Sequence, residues 1–284
     1  MGQFPGFPAA AVASTEAACG PGAELKEVSY RRGAAVWKAT GPDGVVAVKA
    51  GYGDGAAATQ READVLKALG WPDYLLASGG DADVAWLVTH WFTGPSTWQV
   101  FAPVRADADG KDGALTASVD LCRAVAELHA SGWIHSDLQP SHGIHTDHGV
   151  RLLDCSWSWR DGTEPATEFR GGLTHLVAPE LAESVNAGRQ PPTPSTATDV
   201  YALAGTLWTC VTGRWPLDYA GAGIDPGRLT PAELRTHIAG RRLPLDSAAP
   251  WPAFQDLLRP ALLGPAGDRP TAAELAATLA RAAK

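Results

Sequence analysis

Cysteine is sparse in this chain and never clustered: Cys19, Cys122, Cys155 and Cys210 lie far apart, with no C-x-x-C pair among them. That spacing suggests neither a zinc site nor a disulfide framework, and it fits a reducing, cytoplasmic compartment. Positive charge is also in short supply. The 23 Lys and Arg are outnumbered by 31 Asp and Glu, giving a net charge of -8. A general nucleic-acid binder carries a basic face, so no nucleic-acid partner is expected. An acidic surface also repels acidic substrates unless a local basic patch overrides it. No apolar run approaches the roughly 20 residues needed to cross a bilayer, and no membrane partner is expected. The first residues are small and apolar but lack a basic n-region, and Pro5 and Pro8 interrupt them, so they do not read as a signal peptide. Gly6 stands where N-myristoylation requires Ser or Thr. No internal repeat is visible.

What is present is ordinary for a globular chain. The 284 residues are 45% hydrophobic and 19% charged, which suits one two-lobed domain or two small ones. Residues 1–22, rich in Ala, Gly and Pro, read as a flexible leader. Residues 28–40 are β-branched and aromatic, Gly41 to Gly44 form a turn, and 45–49 continue as a strand, together a hairpin. Residues 59–69 have helical spacing, 85–92 and 150–153 are short strands, and 115–130 form an amphipathic helix. Beyond Pro179 helices are expected over 180–187, 196–211, 231–239, 251–262 and 271–282, the last opened by a Thr271–Glu274 capping box. Strands in the first third and helices afterwards predict an α+β fold with two unequal lobes.

Four motifs stand out, in order. Ala47, Val48 and Lys49 end a strand. His135, Ser136 and Asp137 open a loop that runs to His142. Leu152, Leu153 and Asp154 precede Cys155 and Ser156. Ala178, Pro179 and Glu180 open a helix. Together they resemble the strand lysine, catalytic loop, metal-binding motif and Ala-Pro-Glu segment of the protein kinase superfamily. Glu62 is placed like the family's helix glutamate, Asp199 like its buried large-lobe aspartate, and Arg269 like the arginine that pairs with Glu180. The resemblance covers nearly the whole chain. It implies a bilobal kinase-like fold, with a β-rich N-lobe over 23–93 carrying one key helix and a mainly helical C-lobe over 94–284.

The resemblance also implies roles. Phosphoryl transfer asks a protein mainly for positioning and charge stabilisation. Lys49 would hold the ATP phosphates and Glu62 would hold Lys49. Asp154 would bind magnesium, with manganese as the alternative ion, and Asp137 would accept or orient the proton of the attacking hydroxyl. Thr89 would close the back of the adenine pocket, His90 and Phe92 would offer backbone groups to adenine, and Val36, Ala47 and Ile144 would sandwich the ring.

The chain departs from the family at several of these positions. The glycine-rich loop is reduced to one glycine, Gly33, preceded by Arg31 and Arg32, which act either as cations over the phosphates or as solvated surface residues. Ser136 replaces the arginine that receives an activation-segment phosphate, and the segment between Asp154 and Glu180 is short, which fits a site that is ready once folded. Gln139 replaces a lysine and can still donate to a γ-phosphate. His142 replaces the second metal-binding Asn, as a metal ligand or as a hydrogen-bonding structural residue, although magnesium prefers oxygen ligands. Cys155 and Ser156 replace Phe and Gly. Trp157 and Trp159, two residues apart, face one way as core or as a substrate wall.

The function expected from these features is an ATP-dependent kinase acting on a Ser or Thr hydroxyl of a protein or peptide. A narrower version acts on a natural-product precursor peptide of the lanthipeptide type. A pseudokinase scaffold and an antibiotic-type small-molecule kinase are the competing classes. Oligomeric state is not legible in the sequence.

Overall fold

The computed structural model describes residues 6–72, 74–81, 83–160, 172–188 and 194–282. The short segment expected after Asp154 falls partly outside the described residues, at 161–171. The chain divides into two compact units, Met1–Phe92 with Asp154–Trp157, and Thr93–Leu153 with Ser158–Lys284.

The first unit opens with helix α1 (Ala9–Cys19), followed by strands β1 (Glu24–Arg31), β2 (Ala34–Gly41) and β3 (Gly44–Tyr52), helix α2 (Asp54–Leu69), and strands β4 (Leu75–Gly80) and β5 (Val84–His90). The strands form one antiparallel sheet in the order β1-β2-β3-β5-β4. Alternation sets one face of it. Ala35, Trp37 and Ala39 on β2 and Val46, Val48 and Ala50 on β3 are buried together with Val88. Helix α1 covers that face through Ala11 and Cys19, while Phe7 meets the Trp37 ring edge-on at 5.2 Å.

The flexible leader expected at the N-terminus is therefore corrected: residues 9–19 are helical and part of the core. Alanine is a strong helix former, and the buried Thr15 and Cys19 donate their side-chain hydrogens to Ala11 O and Thr15 O, so no polar atom is left bare. Alanines on every side hide the apolar stripe that would have announced such a helix. A second correction concerns 28–40, which is two strands rather than one. Arg32 and Gly33 form a two-residue turn with φ of 51° and 77°, the left-handed pair that a tight hairpin requires.

The second unit begins with two single-turn helices, α3 (Thr97–Val100) and α4 (Ala102–Arg105), then α5 (Lys111–Ala130). Short strand pairs follow: β6 (Trp133–Ile134) with β9 (Trp159–Arg160), and β7 (Gly143–Thr146) with β8 (Gly149–Leu152). Helices α6 (Pro179–Asn186), α7 (Thr196–Thr212), α8 (Pro231–Ala239), α9 (Pro252–Leu263) and α10 (Ala272–Ala282) complete it. Helix α7 is the axis of this core, with Tyr201, Leu203, Leu207 and Trp208 at or below 1% exposure. It starts at a Ser195–Thr198 capping box and ends at Gly213 in the left-handed region. Thr271 and Glu274 also make the reciprocal bonds of a capping box ahead of α10.

The α+β class, with strands concentrated in one unit and helices in the other, matches the expectation from the sequence. All four cysteines are buried and no disulfide links them. Among the described residues no helix is long and apolar enough to cross a membrane.

Candidate active site

In the first unit, Lys49 on β3 is held by two carboxylates. Its Nζ lies 2.5 Å from Glu62 Oε2 on α2 and 3.0 Å from Asp154 Oδ1. Burial works against the ammonium, but the Glu62 and Asp154 charges outweigh it and raise the Lys49 pKa, so the cation persists at every working pH. Glu62 is 5% exposed and uses its other oxygen to accept the Cys155 backbone N–H at 3.2 Å. The helix glutamate thus grips both the strand lysine and the backbone beside Asp154. Asp154 adopts a φ of 58°, and Ser156 Oγ donates to its Oδ1 at 2.9 Å. A serine where a glycine was expected therefore adds a bond to the carboxylate that it follows.

Arg61, next to Glu62, lies at the candidate site although no motif singles it out. Its Nε donates to Ser156 O at 2.6 Å, and its guanidinium lies 4.3 Å from the centre of the Trp157 ring. Trp157 is outside the strand that holds Trp159. It sits in a 3-10 turn (Cys155–Trp157), whereas Trp159 is buried in β9. Arg61→Ala removes a charge-assisted hydrogen bond and a cation–π contact, together about 2–4 kcal/mol of local restraint. The expected result is a smaller magnesium-dependent part of the nucleotide-induced rise in melting temperature, with the metal-free part retained. Equal loss of both parts would show that Arg61 supports only the fold.

The other residues assigned to nucleotide binding divide by location. Val36 pairs with Lys49, and Ala47 pairs with Thr89, so all four share the sheet face opposite the one that α1 covers. His90 ends β5 opposite Val46, and its N–H donates to Tyr74 O at 3.3 Å. Phe92 packs its ring 4.8 Å from Tyr74. Arg32 and Gly33 form the β1–β2 tip, where Gly33 O accepts the Tyr52 N–H at 2.8 Å. Ile144 lies in β7 of the second unit, opposite Arg151.

In the second unit, Asp199 at the start of α7 organises the loop after β6. Its carboxylate accepts the His135 N–H at 2.6 Å and the Ser136 N–H at 2.8 Å, and it meets His129 Nε2 at 3.0 Å. These bonds hold Ser136 at a φ of 65°, an unfavourable value for a residue with a Cβ. His135 is buried; its Nδ1 accepts the Asp137 N–H and its Nε2 faces Leu153 O, the pattern of a neutral ring that locks the loop rather than transfers protons. Asp137 is 9% exposed. Its Oδ1 accepts from Gln139 Nε2 at 2.8 Å and from the Leu173 N–H at 3.1 Å. Gly172 is required there, because a Cβ would lie 2.6 Å from Asp137 Oδ1. His142 Nδ1 donates to Asp137 O at 2.8 Å, which in the neutral ring leaves the lone pair on Nε2.

The comparisons with known proteins agree with this geometry. No protein-family model matches the chain. Among curated proteins it is similar to the serine/threonine-protein kinase pkn2 of Myxococcus xanthus, 29% identical over 244 residues, covering 78% of this chain and 27% of that protein. It is 30% identical over 185 residues to the serine/threonine-protein kinase PkaB of Streptomyces coelicolor, covering 59% of this chain and 39% of that one. A third match, the serine/threonine-protein kinase PknK of Mycobacterium tuberculosis, is 35% identical over 102 residues, covering 35% of this chain and 9% of its own length. The chain thus spans well under half the length of these relatives. Distant homology to the serine/threonine protein kinases over much of the chain joins the motif order and the α+β fold, and all three point to the protein kinase superfamily.

Proposed function

We propose that the protein is an ATP-dependent kinase that transfers the γ-phosphoryl group to a Ser or Thr hydroxyl of a protein or peptide. The observation that carries this reading is the formed Lys49 network, in which one ammonium is bound by both Glu62 and Asp154. Lys49 and Glu62 are largely buried while Asp154 is partly exposed, and a charged cluster so placed is a candidate functional site. In the proposed reaction the acceptor oxygen attacks the γ-phosphorus, the bridging oxygen leaves with ADP, and Asp137 takes the hydroxyl proton. Lys49 steadies the phosphates, and Gln139 donates to the transferred group without adding charge.

Magnesium fits the carboxylate oxygens of Asp154 and would supply charge neutralisation when bound. The Nε2 lone pair of His142 suits manganese better than magnesium. A precursor peptide of a ribosomally made natural product is the narrower acceptor, and cytoplasmic placement goes with it.

A scaffold role gains one specific observation: the two-residue Arg32–Gly33 tip has no glycine-rich span to lie along phosphates. The discriminating experiment incubates the purified chain with labelled ATP, magnesium or manganese, and separate pools of Ser/Thr peptides, precursor peptides and aminoglycosides. Transfer to peptides is the expected result. Absence of transfer together with absence of a nucleotide-dependent rise in melting temperature rejects the enzyme, and transfer to aminoglycosides alone identifies a small-molecule kinase.

A further inference from the structure

The second unit contains a cavity of about 730 Å³ that borders the residues of the proposed transfer reaction. Its walls include Trp98, Gln139, Leu173, Thr209, Arg214 and Trp215. That volume lies in the range of about 300–1,000 Å³ typical of ligand sites. Two of these residues place the cavity chemically. Gln139 Nε2 and the Leu173 N–H both donate to Asp137 Oδ1, so an occupant touches the residues that hold the candidate proton acceptor. An acceptor peptide held at Asp137 would therefore run past this cavity.

The two indoles are fixed walls. The Arg105 guanidinium lies 3.5 Å from the centre of the Trp98 ring, and the same side chain is anchored on Cys210 O and Trp98 O. Trp215 is stacked against the His175 imidazole at 4.3 Å and 8°. Flat, pre-positioned aromatic surfaces select a flat ring, since little side-chain freedom is lost on contact.

Thr209, on the last turns of α7, supplies the polar element. It is 6% exposed, and its hydroxyl has no hydrogen-bond partner among the described residues. A buried hydroxyl without a partner is a cost to the fold that a ligand can relieve. Among the described residues no Asp or Glu lines the cavity, and the only charged residue in its wall is Arg214, 3.7 Å from Asp246.

We propose that this cavity binds a tyrosine side chain of the acceptor peptide, its ring between Trp98 and Trp215 and its phenol hydrogen-bonded to Thr209. The assignment rests on the kinase reading, because Asp137 is what marks the occupant as the acceptor. The cavity is a specificity site: Trp98, Trp215 and Thr209 choose the side chain, and Gln139 in its wall also serves the proposed transfer.

Equilibrium binding tests it apart from catalysis. Labelled Ser-containing peptides carrying Tyr, Phe or Ala at each position near the Ser are titrated with the full chain by fluorescence anisotropy, without nucleotide. The best Tyr peptide should bind about tenfold more tightly than its Ala counterpart, the size expected for a buried aromatic anchor, and more tightly than its Phe counterpart. Thr209→Val, which keeps the side-chain shape, should bring the Tyr peptide to the affinity of the Phe peptide without lowering the melting temperature. Trp215→Ala should weaken both. Equal affinities for all three peptides, or a Tyr-to-Phe ratio untouched by Thr209→Val, overturn the proposal. Free tyramine binding as tightly as the peptide overturns the peptide assignment. A parallel transfer assay separates the two readings: a Tyr preference without transfer supports the cavity and rejects the kinase, and transfer without the preference does the reverse.

Discussion

Asp137→Asn should abolish phosphate transfer while leaving the protein folded and able to bind nucleotide. Removing a general base lowers turnover by roughly 10²–10⁴-fold. Asparagine keeps the shape of the side chain and can still accept the Leu173 N–H through its amide oxygen, as Asp137 Oδ1 does at 3.1 Å. The backbone bonds from His135 and Ser136 to Asp199 are untouched, so the loop keeps its form. The measurement is initial transfer rate to the best peptide, beside the nucleotide-induced shift in melting temperature. Activity within a few-fold of the native chain would remove Asp137 from the proton path.

Glu180→Ala should produce the largest loss of stability. Glu180 opens α6 and receives both terminal nitrogens of Arg269, at 2.5 and 2.9 Å, with Arg241 at 3.0 Å on the same carboxylate. The Arg269 side chain is completely buried, and without Glu180 its remaining hydrogen-bond partner among the described residues is Ala197 O at 3.0 Å. Leaving a buried charge uncompensated costs about 3–5 kcal/mol. Replacing the pair by Glu180→Leu with Arg269→Met should cost less than the sum of the single changes, because no charge is then stranded. Denaturant midpoints of the four proteins measure this directly, and additive losses would contradict it.

The same carboxyl gives a pH signature. Burial pushes it up, but the hydrogen bonds from Arg269 and the backbone and the charges of Arg269 and Arg241 together hold it below the ordinary range. A depressed folded-state pKa means that the unfolded chain takes up the proton first. The stabilisation from Glu180 is therefore complete above the usual carboxylate value of about 4.3 and is lost as pH falls through the lower folded value. Glu180→Gln should flatten the fall in melting temperature below about pH 4.3, where the native carboxylate is being protonated.

Sequence reasoning works where a residue's partner is set by local spacing or by a motif. The capping box at Thr271 is local. The order of Lys49, Glu62, Asp137 and Asp154 is a pattern that survives heavy change around it. The Arg61 contact with Ser156 and Trp157 joins positions far apart in the chain, and no spacing encodes it. The cavity was invisible for the same reason, since its walls come from α3, the loop after β6, Leu173 and the end of α7. Helix α1 was missed through composition, because an alanine-rich helix carries no polar face against which an apolar one stands out. Trp157 and Trp159 were read with a strand's alternation, but the 3-10 turn ends between them and breaks it.

Helix α1 has a practical consequence for anyone handling the protein. Trimming the chain to begin at the first strand would uncover Trp37, Val46, Val48 and Val88 on one broad apolar sheet face. Such a shortened version should aggregate on expression even though every motif residue is still present. A cleavable tag is better joined ahead of Phe7, so that the ring keeps its seat against Trp37.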